Sequence, residues 1–327
     1  MPHYGFNLLA MFGKNGAPRL DDAELDFAAE HGFNFIRLPL DYRNWIPDFE
    51  YTKPDERTMA VIDGYVEQIL SRGMQACVNF HRAPGYCVNQ PELEKHNLWV
   101  DAEAQDGFVF NWEFFARRYR HIPADKLIFN LVNEPWFEGD KWQFTRARHA
   151  AIMRRAIAAI RAISPDREII CDGVGGGQFA MPEMAHAGVI HGARGYVPFE
   201  VSHYRANWIS HITDWREPAW PMEVNGTLWN RDTLASLYQP WLDVEKTGVK
   251  VYVGEFGCFN KTPNDVALCW LGDLLNVFKQ FGWGYALWNL SGAFGVINHG
   301  RPGTVYTRMN GLDVDAQLLD LLKSNRV

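Results

Sequence analysis

Short runs rich in β-branched and aromatic residues alternate, along the whole chain, with longer stretches whose apolar positions recur every three to four residues. The short runs predict strands at 4–8, 33–40, 74–81, 127–133, 168–172, 199–203, 249–254 and 284–290. The periodic stretches predict helices at 21–31, 58–72, 108–119, 144–163, 232–246, 264–281 and 316–322, several opened by N-capping residues such as Asp21 and Asn264. Eight strands alternating with helices is the count of a closed parallel barrel. The expectation is therefore an α/β chain forming a single (β/α)8 TIM barrel over residues 1–327. An open doubly wound sheet would carry a GxGxxG turn after its first strand, and the sequence there reads LLAMFGKNGAP. The glycine-rich DGVGGGQF at 172–179 follows the fifth strand without a Lys-Ser/Thr pair, and reads as a tight turn needing positive φ. The irregular stretches 82–106 and 205–230 follow the third and sixth strands. In a barrel such loops leave the C-terminal face, where sites are built.

Length alone would allow two domains, but barrels of this size fold as one. A hydrophobic fraction of 47% and 13 Trp exclude a disordered chain. The net charge of −7, with no Lys/Arg cluster, leaves no electrostatic footprint for nucleic acid. The five cysteines (Cys77, Cys87, Cys171, Cys258 and Cys269) have neither metal-ligand spacing nor a regular framework, so free thiols are expected. No run reaches the roughly 20 apolar residues of a membrane span, and MPHYGFNLLA lacks the pattern of a signal peptide. A soluble monomer without cofactor or metal is expected, extracellular if a leader was removed and the substrate is polymeric.

The chemistry gathers where apolar runs end. Arg37 ends NFIR, His81 ends VNFH, Asn133-Glu134 end FNLVNE, His203 ends EVSH, Glu255 ends VYVGE, and Trp288 sits in YALWNL. A polar group at the end of an apolar strand is costly to bury unpaired. Each alone has a plain alternative: a buried ion pair, a satisfied core histidine, a helix-capping carboxylate. Six in one chain, brought to one barrel mouth, can satisfy each other and line a site.

These residues carry a family resemblance. VNEP at 132–135 and VGEFG at 253–257 resemble the two catalytic strand motifs of glycoside hydrolase family 5, the cellulase-like clan. Arg37, His81, His203 and Trp288 fall on the strands where that family carries its active-site Arg, two His and Trp. The resemblance implies the barrel, retention of anomeric configuration, Glu134 as acid/base, Glu255 as nucleophile and Asn133 as ligand of the sugar 2-hydroxyl. It also implies a Tyr two residues beyond the strand-six His. In His203-Tyr204-Arg205 that position is Arg205, so either Tyr204 reaches the site through a bend or Arg205 replaces the tyrosine.

The paired glutamates make physical sense. Retaining hydrolysis needs two carboxyl groups about 5–5.5 Å apart. At ~5 Å and an effective dielectric of ~20 they repel by about 3.3 kcal/mol, enough to lift a glutamate from about 4.3 to near 6.7. Arg37 beside Glu255 would decide which one keeps the proton. Among the aromatics, Trp45, Trp136, Trp208 and Phe294 are candidate sugar platforms, and Trp99, Trp215 and Trp220 candidate walls. The substrate expected is a β-1,4-linked glucan cut internally. The alternatives are a mannan or short oligosaccharide on the same site, or a catalytically silent carbohydrate-binding barrel, which has no need of the paired glutamates. A metal-dependent hydrolase would want clustered His and Asp at strand ends, and His3, His186 and His191 do not supply them.

Overall fold

The structure, a computed structural model, describes residues 2–136 and 142–327. Eight strands form its centre: β1 (Tyr4–Asn7), β2 (Phe35–Asp41), β3 (Gln75–Ala83), β4 (Leu127–Asn130), β5 (Ile169–Asp172), β6 (Ile190–Gly195), β7 (Val251–Phe256) and β8 (Gly284–Leu287). Each pairs in parallel with its successor. β8 closes the ring on β1 through Tyr4↔Tyr285, Gly5↔Ala286 and Phe6↔Leu287. Around it run helices α1 (Asp22–Glu30), α2 (Glu56–Leu70), α3 (Ala102–Arg118), α4 (Arg146–Arg161), α5 (Arg231–Leu237), α6 (Gln239–Glu245), α7 (Asn264–Phe281) and α8 (Ala316–Ser324). This is the (β/α)8 barrel expected from the alternation.

Local signals explain most boundaries. The Asp21 side chain accepts from the amides of Ala23 and Glu24 to start α1, as expected. Asn264 is not a cap: it is the first residue of α7, after Pro263, and its Oδ1 accepts from Thr304 instead. The turn after β5 takes positive φ at Gly175, Gly176 and Gly177, as the sequence required. Between β5 and β6 the described residues form only short helical turns, among them Pro182–Met184.

One strand is misplaced by the sequence pattern. The sixth strand is Ile190–Gly195, and the expected strand at 199–203 is a single helical turn, Phe199–Ser202, in the loop beyond it. The β6 signal is diluted by glycines that its neighbours require. A Cβ on Gly192 would stand 2.5 Å from Asp172 Oδ1, and one on Gly195 would stand 2.7 Å from Phe256 Cβ. Close approach, not turn chemistry, sets both.

Apolar packing occurs in two shells. The outer one lies between strands and helices. There Trp112 of α3 stacks on Phe80 with centroids 4.0 Å apart, and its Nε1 donates to Leu131 O at 3.1 Å. Trp45 and Trp99 belong to this core: both are fully buried, and Trp45 Nε1 donates to Asn111 Oδ1 at 2.9 Å. They are not sugar platforms or walls. The inner shell is a separate cluster with one residue from each of β2 to β8: Phe35, Cys77, Ile128, Ile170, Ile190, Tyr252 and Ala286. Two positions further along a strand the same face recurs. On β2 to β5 that step lands on Arg37, Asn79, Asn130 and Asp172, all buried. The barrel interior is thus an apolar floor beneath a polar layer, and the site stands on that layer.

Candidate active site

Two guanidiniums organise the polar layer. Arg37, fully buried on β2, donates to Asn130 Oδ1 (2.9 Å), Asn7 Oδ1 (2.8 Å), Asn133 Oδ1 (2.8 Å) and Glu255 Oε1 (2.6 Å). Arg194, near the end of β6, donates from Nε to Glu134 Oε1 (2.8 Å) and from Nη2 to Asn133 Oδ1 (2.9 Å), Asp172 Oδ2 and Glu255 Oε1 (3.3 Å). Such charges are tolerated in a barrel core because each is paired and hydrogen-bonded. Glu255 sits where the register of β7 against β6 shifts between Val253 and Glu255. An irregularity of this kind re-aims a side chain at a barrel rim.

Glu134 follows Asn133 beyond β4 with φ of 46°. A non-glycine residue there costs of the order of 1–3 kcal/mol and persists only when its surroundings hold it. They do: its amide donates to Asp172 Oδ2 (3.2 Å), and Tyr86 donates to its carbonyl (2.6 Å). Asn133 Oδ1 accepts from both guanidiniums, which fixes the amide orientation. Its Nδ2 is buried and has no hydrogen-bond partner among the described residues.

Electrostatics separate the two glutamates. Burial, then the charge of Glu255, pushes the Glu134 carboxyl up to about 7, while Arg194 pulls against both. Burial, then Arg37 and Arg194, holds His81 well below the ordinary histidine range, so its ring is neutral. Burial takes His203 down to about 3. Arg194 is held well above the ordinary arginine range: burial opposes this, and Asp172, Glu255 and Glu134 outweigh it. The raised Glu134 value has a consequence for stability. Its ionised form is disfavoured only in the folded chain, so stability is intact below about 4.5 and lost as pH rises through about 7. Glu134→Gln should therefore gain about 2–3 kcal/mol relative to the unmodified protein between pH 4.5 and 8. Urea unfolding at both pH values checks this, and an equal difference at both would contradict it.

A cavity of about 900 Å³ opens above this layer. Phe12, His81 and Trp288 form one wall, with His81 stacked on Trp288 (5.7 Å) and tilted against Phe12 (4.4 Å). Tyr196, His203, Trp208, Phe259 and Phe294 form another. There Trp208 is 51% exposed, while its ring packs edge-on against Phe259 at 4.9 Å. Gly175, Gly176 and Gln178 border the cavity near Glu134. Among the described residues no group of three or more His, Cys, Asp or Glu is placed to hold a metal ion, and no helix is long and apolar enough to cross a membrane.

Of the residues singled out in the sequence, His81, Glu134, His203, Trp208, Glu255, Trp288 and Phe294 line this cavity. Arg37 lies buried and donates to Glu255 Oε1, and Asn133, also buried, accepts from the two guanidiniums that hold the carboxylates. Trp136 does not border it; the ring packs against Tyr86 (6.0 Å) and Trp142 (5.8 Å). Trp215 packs edge-on against Tyr204 (5.9 Å), and Trp220 donates to Asp273 (2.9 Å). The tyrosine against Glu255 is neither Tyr204 nor Arg205 standing in for one. It is Tyr196, whose hydroxyl donates to Glu255 Oε2 at 3.3 Å. Tyr204 is buried, with the exposed Arg205 guanidinium 5.0 Å over its ring. Because β6 is Ile190–Gly195, Arg194 stands where the resemblance expects the strand-six His, and Tyr196 lies two residues beyond it. His203 reaches the cavity from the helical turn after the strand, its Nδ1 paired with Ser202 Oγ at 2.8 Å. Asp172, Arg194 and Tyr196 went unnoticed in the sequence. Asp172 was visible in principle, since it ends the apolar run IICD by the same rule that exposed Glu255.

Comparisons with known proteins place the chain in a family. The model of the cellulase family, glycosyl hydrolase family 5, matches residues 3–294. A solved glycoside hydrolase structure is 49% identical, with a TM-score of 0.97 and 100% of both chains covered. Endoglucanase C of Acetivibrio thermocellus is 24% identical over 298 residues, 83% of this chain and 83% of that protein. The structure of endoglucanase Cel5A from Thermotoga maritima, at 22% identity, superposes with a TM-score of 0.78 over 98% of this chain and 96% of its own. The family match spans nearly the whole barrel and both glutamate motifs, and the chain belongs to glycosyl hydrolase family 5, the cellulase family.

Proposed function

We propose that the chain is a retaining hydrolase of β-1,4-linked glucan, with Glu255 as nucleophile and Glu134 as acid/base. One observation carries the reading: the Nε/Nη2 edge of Arg194 bonds to both carboxylates, at 2.8 Å and 3.3 Å. Inverting pairs stand about 6.5–9.5 Å apart to admit a water, and retaining pairs about 5–5.5 Å. A shared guanidinium edge favours the shorter spacing.

The surrounding contacts divide the labour. Glu255 Oε1 is held by Arg37 and Arg194, which leaves Oε2, beside Tyr196, as the oxygen that attacks the anomeric carbon. The raised Glu134 carboxyl holds a proton near neutrality and delivers it to the departing glycosidic oxygen. It then takes a proton from the water that cleaves the glycosyl-enzyme ester. Asn133 Nδ2, without a partner among the described residues, is a donor for the 2-hydroxyl of the bound sugar, and neutral His81, His203 and Trp288 shape the pocket around that ring. Trp208 offers an exposed face for stacking a neighbouring pyranose.

The glucan rests on names: relatives include endoglucanase C and a cellodextrinase A of Ruminococcus flavefaciens that is 25% identical over 261 residues, 78% of this chain and 73% of that protein. Mannan is the second reading, because the Thermotoga maritima Cel5A fold has been solved with mannotriose as well as cellobiose. Carboxymethylcellulose should lose viscosity well before much reducing sugar appears. Faster cleavage of mannan would move the assignment to mannan, and early disaccharide release at high viscosity would replace internal attack by attack from chain ends.

A further inference from the structure

We propose that Arg194, seated on Asp172, is a positioning residue that ties the two carboxylates together and stabilises Glu134 in its ionised form. The inference builds on the roles proposed above for Glu134 and Glu255. Arg194 is 3% exposed, and its Nε and Nη2 reach Glu134, Asn133, Asp172 and Glu255 from one planar group. A lysine could not make these contacts at once, because its ammonium is a point donor on a flexible stem. Asp172 is itself fixed, with Oδ1 accepting from Asn130 Nδ2 at 3.0 Å and Oδ2 also accepting the Glu134 amide. One aspartate therefore holds both the backbone of Glu134 and the cation that grips its carboxyl.

The charge balance explains the effect. Among the described residues, the charged and titratable side chains of this cluster are Arg194 and Tyr196 from β6 and its exit, Asp172 from β5, Glu255 from β7, Arg37 from β2, His81 from β3 and His203 from the turn beyond β6. The histidines are neutral, burial and Glu255 keep Tyr196 protonated, and two guanidiniums face two carboxylates. With Glu134 protonated the cluster is neutral; ionising it adds one negative charge that, among the described residues, Arg194 contacts directly. An acid/base that must be protonated in the first step and ionised in the second needs such a partner.

Carboxyl-¹³C glutamate labelling reads this directly, with the Glu134 resonance assigned by its loss in Glu134→Gln. Arg194→Met should raise the Glu134 titration midpoint by about 1–3 pH units, and Arg194→Lys, which keeps the cation, by less. An unchanged midpoint in Arg194→Met overturns the proposal. If that variant fails to fold, the double variant Asp172→Asn/Arg194→Met leaves no buried ion unpaired. It should show a smaller rise, and no rise would overturn the proposal equally. The titration needs no substrate. Failure of the unmodified protein to cleave any β-glycan would count against the proposed function alone.

Discussion

Glu255→Ala should lower hydrolysis of β-glucan by at least roughly 10⁴-fold, about 5 kcal/mol of transition-state stabilisation. The size follows from what the side chain is set up to do. Its Oε1 is pinned by Arg37 at 2.6 Å and its Oε2 accepts from Tyr196, while the other described carboxylate that lines the cavity, Glu134, is the proposed acid/base. Alanine leaves space beneath the anomeric carbon. Azide should enter it and restore part of the activity on an activated aryl β-glycoside, with an α-glycosyl azide as product. A β-azide, or no rescue together with persistent glucan cleavage, would place the nucleophile elsewhere. Stability needs a control, because removing one partner of a buried ion pair costs about 3–5 kcal/mol. Glu255→Gln keeps an acceptor for Arg37 and should be as inactive while unfolding at a higher urea concentration than the alanine variant.

How far the sequence carried the fold depends on what each strand had to accommodate. In β2, β3 and β7 most positions are apolar and Arg37, His81 and Glu255 stand out against them, so the pattern locates these strands and their site residues to within a few positions. β6 defeated the same rule. Its residues are Ile190-His191-Gly192-Ala193-Arg194-Gly195, where two glycines make room for Asp172 and Phe256, and His191 and Arg194 interrupt the apolar run. The segment 199–203 beyond it, which alternates Phe199 and Val201 with polar residues, reads more like a strand, with His203 as its end. That one displacement carried Tyr204 into the site on paper and hid Arg194 and Tyr196. Pairing with β5 and β7 settles the register, and such pairing is non-local information that a single run of sequence does not contain. Trp45 and Trp99 show the same limit: their places near the rim suggested sugar contacts, but burial is decided by helices packed from elsewhere in the chain.

Glu134→Ala should separate the two halves of the reaction by their demand for a proton. With a poor leaving group, such as the 4-hydroxyl of the next sugar, loss of the general acid should cost about 10²–10⁴-fold. With an activated aryl leaving group, departure needs little help, and the first step should proceed at nearly its former rate. The slow step then becomes attack of water on the glycosyl ester, since no base remains to take its proton. Added azide needs no such base and should accelerate turnover, giving a β-glycosyl azide, the opposite anomer from that of the Glu255→Ala rescue. The pH dependence supplies an independent sign. With Glu134 as the proposed acid, the first step in the unmodified protein requires its protonated form, so kcat/KM should fall as pH rises through about 7. In Glu134→Ala the titrating group is gone, and that limb should be absent on the activated substrate. A limb that persists near 7 in the variant, or an equal loss on good and poor leaving groups, would assign the acid to another residue and leave the raised carboxyl of Glu134 without a catalytic use.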